Sequence, residues 1–174
     1  MPGFMYAMLA GVNAAEHAPP SHELAASYAD VCNVAGLIPV HSMASSYVRL
    51  ALDAAEKVGR PATTARVLSR VSIYLSATCD WSSLENLERS IQLAERLGDP
   101  YQWEESVYLL GLAENSRGSY SEALERARQV AERSRRSGNS THEIWAAGLA
   151  ADAALHLGDG ALVHLADEQG TAEL

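Results

Sequence analysis

Apolar residues recur along this chain at steps of three and four. Leu84, Leu87, Ile91 and Ala94 form one such stripe, and Ala123, Ala127, Val130 and Ala131 form another. Leu68, Val71 and Leu75 precede the first stripe, and Trp103, Val107 and Leu110 precede the second. Nearer the amino terminus, Leu24, Tyr28, Val31, Cys32 and Ala35 repeat the pattern. This is the spacing of helices that each turn one face to a core.

The stripes are separated by regular stops. Gly59-Arg60-Pro61, Gly98-Asp99-Pro100 and Gly138-Asn139-Ser140 place their glycines 39 and 40 residues apart. Glycine ends a helix in the left-handed conformation, and Pro or Ser then opens the next. Asp99 suits a cap, Pro100 the first helical position, and Gln102 the closing position of a capping box; Ser140 with Glu143 offers a second box. A second set of stops lies between: Cys79-Asp80-Trp81, Gly118-Ser119-Tyr120 and Gly158-Asp159-Gly160, again 39 and 40 residues apart. Asp80 or Ser82 can cap the helix after the first, and Ser119 with Glu122 the helix after the second.

Each period of 39–40 residues therefore holds two helices and two turns. The expected fold class is all-α: an α-solenoid of antiparallel helix pairs, with about nine helices in a single domain over residues 1–174. The pairs fall at 21–58, 62–97, 101–137 and 141–168, the last ending in a shortened helix over 160–168. Residues 3–17 read as an orphan helix, which suggests a piece of a longer array. Its Phe4, Met5, Met8, Leu9 and Val12 form an apolar surface that invites self-association. Gln169 to Leu174 read as a frayed tail.

Composition agrees with this picture and narrows the function. Thirty Ala and 21 Leu against 15 Val plus Ile favour helices. A net charge of −9 disfavours nucleic acid as a partner, because phosphate contacts need positive charge. No apolar run is long enough to span a membrane. The first Lys or Arg is Arg49, so the apolar run Phe4–Val12 lacks the basic flank of a secretory signal. The chain is expected to be cytoplasmic, and the sequon Asn139-Ser140-Thr141 is then a coincidence. Cys32 and Cys79 read as two buried reduced thiols.

Motifs for chemistry are missing. Lys57 is the only lysine and is followed by Val58-Gly59, so no phosphate-binding loop is present. No HExxH or GxSxG occurs. His156 and His164 flank a turn, but two histidines make a poor metal site, and no metal or cofactor is expected. Glu104-Glu105 read as first-turn carboxylates that complement the helix amino terminus. Arg126, Arg128, Arg133, Arg135 and Arg136 read as a solvated face neutralised by Glu122, Glu125 and Glu132, with an anionic partner as the sharper alternative.

The run Gly118-x-Tyr120-x-x-Ala123-Leu124-x-x-Ala127 resembles the core of a tetratricopeptide repeat, with Trp81 in the place of Tyr120 one period earlier. There the aromatic fills the gap between units, so Trp81 is expected to be largely buried. The family's usual repeat is shorter. A broader resemblance rests on His22-Glu23-Leu24-Ala25, Gly36-Leu37-Ile38-Pro39-Val40-His41, Arg49-Leu50-Ala51-Leu52, Ala55-Glu56-Lys57-Val58-Gly59, Asp80-Trp81 and Ala94-Glu95-Arg96-Leu97-Gly98-Asp99-Pro100. Together these look like the carboxy-terminal repeat region of large bacterial signalling proteins. Those proteins join a class III adenylate/guanylate cyclase domain to an AAA-type ATPase domain and then to tetratricopeptide-like repeats. The resemblance implies a parent that binds ATP and makes a cyclic nucleotide, with neither active site in these residues.

The expected function is a non-catalytic interaction and regulatory scaffold in signal transduction. Its partner would be a protein, a peptide or a neighbouring domain of the same polypeptide. The rivals are a free-standing enzyme with an unrecognised site and a purely structural spacer. In tetratricopeptide-like arrays the first helix of each pair lines the groove. The expected contacts are therefore the polar positions Asp30 and Asn33, Arg66 and Arg70, and Tyr108 and Asn115.

Overall fold

The computed structural model describes residues 2–17, 19–38 and 40–158, with side chains from Leu9 onward. Among the described residues there are eight helices and no strand: α1 (Pro2–Ala15), α2 (His22–Leu37), α3 (His41–Val58), α4 (Pro61–Ala77), α5 (Ser82–Leu97), α6 (Pro100–Ser116), α7 (Tyr120–Ser137) and α8 (Ser140–Leu157). The expected helix over 160–168, the tail after it, and the side chains of Phe4, Met5 and Met8 lie outside the described residues. Of the orphan helix's apolar face, Val12 is buried and Leu9 half-buried. No described helix is long and apolar enough to cross a membrane.

Left-handed backbone marks the turns. Gly59, Cys79, Gly98, Gly118, Gly138 and Gly158 all have positive φ, at successive intervals of 20, 19, 20, 20 and 20 residues. Five are glycines, which take this conformation without steric cost. Cys79, at φ 58°, is the exception and is exposed, not buried as its composition suggested. A residue at a left-handed helix stop projects away from the core, and Gly118 and Gly158 hold the same place in the following pairs.

The caps differ from expectation in detail. Asp99 accepts from the Gln102 amide at 3.0 Å with Pro100 at the first helical position, as the sequence indicates. Asp80 accepts from the Ser82 amide at 3.1 Å. Ser140 does not cap α8; Asn139 does, accepting from the His142 amide at 3.3 Å. Ser119 precedes α7 without a side-chain cap bond, and its hydroxyl accepts from Arg117 Nε at 3.1 Å. Trp81 is 37% exposed, against the expectation of burial. It lies in the turn ahead of α5.

The chain divides into two compact units, Met1–Leu97 and Gly98–Leu174. In the first, α2 packs on α3 and on α4, α3 on α4, α4 on α5, and α1 on α2. In the second, α7 packs on α6 and α8, and α6 also meets α8.

Core positions repeat with the turns. In the second helices, Ala44, Ser83 and Ala123 are buried, as are Val48, Leu87 and Ala127, then Ala51, Ser90 and Val130, then Ala55, Ala94 and Ser134. Each set is spaced by 39 and then 40 residues. In the first helices Tyr28, Leu68 and Val107 are equivalent, as are Val31, Val71 and Leu110, and all are buried. Cys32, Ser72 and Gly111 form a third buried set, of small residues only. At Gly111 a Cβ would lie 2.6 Å from Leu149 Cδ2 and 3.0 Å from Arg126 Cβ, so the helices meet there without room for a side chain.

Candidate functional site

The register that places apolar residues in the first helices places two carboxylates in α6. Ala25, Ala65 and Glu104 share one position, and Ala35, Leu75 and Glu114 share another. Glu104 is fully buried and Glu114 nearly so. A buried carboxylate needs partners, and each has them.

Glu104 accepts from Ser137 Oγ at 2.8 Å through Oε1 and from Asn139 Nδ2 at 2.9 Å through Oε2. His142 Nδ1 lies 2.9 Å from the same Oε2. The pair is closed to solvent, with side-chain exposures of 0% for His142 and 1% for Glu104. Burial pushes the Glu104 carboxyl up, but the hydrogen bonds from His142, Ser137 and Asn139 outweigh it and hold the group below the usual glutamate value. Glu104 therefore does not serve the amino terminus of α6, as its place in sequence suggested; Asp99 does that. The His142 ring packs against Tyr101 and Trp145, with centroid distances of 4.8 and 5.1 Å. His142 Nε2 is buried with no hydrogen-bond partner among the described residues.

Glu114 faces Arg126 Nε across 3.4 Å, an ion pair without hydrogen-bond geometry. Burial raises its carboxyl above the usual value, and Arg126 only partly opposes this.

The six groove residues divide between the units. In the first unit Asp30 is exposed on α2, and Arg66 and Arg70 are half-buried one turn apart on α4. Asn33 Nδ2 donates to the Arg70 carbonyl at 3.0 Å, joining α2 to α4. In the second unit Tyr108 lies against Trp145 with centroids 5.3 Å apart. Asn115 Nδ2 donates to Asp152 Oδ2 at 2.5 Å. Asn33–Arg70, Tyr108–Trp145 and Asn115–Asp152 are each 37 residues apart. Polar positions of one first helix thus meet the next first helix at a constant offset. Trp145 and Tyr101 remain 40% and 56% exposed, so this face of the second unit offers two aromatic rings to solvent.

The arginines of α7 are only partly neutralised within their own helix. Arg136 pairs with Glu132, while Arg135 reaches Glu143 at 2.9 Å. Glu125 accepts instead from Gln129 at 3.1 Å. Arg133 lies over the Trp103 ring, with Cζ 4.2 Å from its centre. His156 stacks on Tyr120 at 4.4 Å; its expected neighbour His164 lies outside the described residues. Among the described residues no three His, Cys, Asp or Glu side chains gather as a metal site would require.

Reading helices one at a time missed Glu104, His142, Trp145 and Asp152. The signal for Glu104 was available in its alignment with Ala25 and Ala65. No protein-family model matches the chain, and no curated protein matches it.

Proposed function

We propose that this chain is a protein-interaction and regulatory scaffold built of tetratricopeptide-like helix pairs. The observation that carries the reading is the repetition itself. Left-handed stops recur every 19–20 residues, and the buried sets recur at the 39–40-residue period of the pairs. A repeated pair buries its core against its neighbours and leaves exposed positions of the first helices, such as Asp30 and Tyr101, to meet a ligand. In this reading the ligand is a peptide or a neighbouring domain. The parent is a cytoplasmic signalling protein with cyclase and ATPase domains. Catalysis belongs elsewhere in that parent. The Glu104–His142 pair has the groups of a general base, but its complete burial leaves a substrate no approach, which supports a structural role.

Photo-crosslinking tests the proposal. A benzophenone side chain is placed at Asp30 or Tyr101, exposed on first helices, and at Arg89, exposed on a second helix. The expected result is one protein adduct from Asp30 and Tyr101 and none from Arg89. Binding of that purified protein should weaken in Trp145→Ala. Adducts confined to Arg89, or nucleotide turnover by the purified chain, overturn the proposal.

A further inference from the structure

Helix α7 carries five arginines against three glutamates, in a chain whose net charge is −9. Positive charge is scarce in this protein and is concentrated there. Two of these arginines, Arg133 and Arg136, line an open cleft of about 500 Å³ together with Trp103, Gln129, Glu132 and Ser137.

Arg133 is held in a particular way. Its guanidinium lies on the Trp103 indole, 4.2 Å from the ring centre. A guanidinium held over a ring in this way can still direct N–H groups to a carboxylate in a fork. The stack also removes side-chain freedom in advance, so less is lost when an anion binds. Arg126, Arg135 and Arg136 each have a glutamate partner. Among the described residues Arg133 has no carboxylate within ion-pair distance. Glu132 pairs with Arg136 within the cleft, so Arg133 carries its unneutralised charge and supplies the directed contact.

We propose that this cleft docks an acidic protein segment, with one carboxylate on the N–H edge of Arg133. The proposal rests on the reading of the chain as a scaffold and adds the chemistry of its partner. A short acidic segment needs positive charge only locally, whereas a nucleic acid would extend its phosphates over an acidic protein.

The test uses the full chain, a fluorescein-labelled glutamate octamer, a lysine octamer and a single-stranded oligonucleotide, at low ionic strength where exposed charges are least screened. The glutamate octamer should bind and quench Trp103 fluorescence. Arg133→Gln should weaken binding about tenfold, the loss of one charge-assisted pair. Arg133→Lys should recover only part of that loss, because an ammonium cannot form the fork. Arg128→Gln, on an exposed residue outside the cleft, should leave affinity unchanged. Equal losses in Arg128→Gln and Arg133→Gln would reduce the effect to general charge and overturn the proposal. So would tighter binding of the oligonucleotide, or no binding of the glutamate octamer at millimolar concentration. Circular dichroism confirms that each variant folds. Loss of octamer binding with the Asp30 and Tyr101 crosslinks intact would remove the cleft and leave the scaffold reading standing.

Discussion

Glu104 and His142 are 38 residues apart in the chain and meet at 2.9 Å in a site closed to water. They link α6 to α8, and Ser137 and Asn139 at the α7–α8 turn complete the network. One carboxylate thus ties three helices at a position where the earlier pairs place alanine.

Removing that carboxylate is expected to be costly. Glu104→Ala leaves His142, Ser137 and Asn139 facing a void and should destabilise the chain by about 3–5 kcal/mol, as breaking a buried pair does. Glu104→Ala with His142→Leu should cost less than the sum of the single changes, with a coupling of about 1–3 kcal/mol. Urea denaturation measures both; strict additivity would show that the pair is not coupled.

Glu104 and Glu114 should respond oppositely to acid. Glu104 is held below the ordinary value, so the unfolded chain binds its proton first. The stability Glu104 contributes is complete above the ordinary glutamate value and is lost as pH falls below it. Glu114 is raised above that value, so folding is favoured by its protonation, and its contribution grows as pH falls through the raised value. Relative to wild type, Glu104→Gln should flatten the acid-side loss of stability, and Glu114→Gln should steepen it. Denaturation midpoints between about pH 3 and 6, spanning the ordinary glutamate value, decide the signs.

Two helical glycines should answer alanine in opposite ways. At Gly111 the new Cβ would stand 2.6 Å from Leu149 Cδ2 and 3.0 Å from Arg126 Cβ. Overpacking there should cost about 1–3 kcal/mol, which a helix-propensity gain of about 1 kcal/mol does not offset. At Gly148 nothing lies within 4 Å of the new Cβ, so the same change should stabilise by about 0.5–1 kcal/mol. Equal effects at the two sites would contradict the close helix contact at Gly111.

Cys79 holds a conformation that glycine holds at the five other stops, Gly118 and Gly158 being its equivalents. A left-handed non-glycine residue costs about 1–2 kcal/mol, partly offset by the greater unfolded-state freedom of glycine. Cys79→Gly should therefore raise stability by about 0.5–1 kcal/mol. A thermal or urea transition that moves downward would count against this account.

What the sequence made legible follows the range of each interaction. The turns at Gly59, Gly98, Gly118, Gly138 and Gly158 were readable because a helix stop is written by the residue that occupies it. Asp99-Pro100 was readable for the same reason. Trp81 was misplaced because a repeat motif gives its register, not the depth to which its ring sinks. Tyr108 and Asn115 fall two turns apart and so share a face, which spacing alone shows. Their partners Trp145 and Asp152 depend on how α6 and α8 pack, which no single helix encodes. Glu104 was the hardest case. A glutamate near a helix start has a ready local explanation, and only comparison across pairs reveals that its position is an interior one.

The near-constant interval between left-handed residues bears on how such a chain changes length. Gly98 and Gly138 have φ values of 66° and 74°, and each is followed by the start of a first helix. The stretch 98–137 thus begins in the same backbone state that meets its end. Duplicating or excising that stretch joins matching ends and invents no new turn. A one-residue insertion inside a helix, by contrast, rotates every later residue of that helix by about 100° and turns its buried stripe toward solvent. Growth by whole pairs therefore preserves the backbone state of every stop, whereas a single added residue leaves the buried stripes in register only between helices.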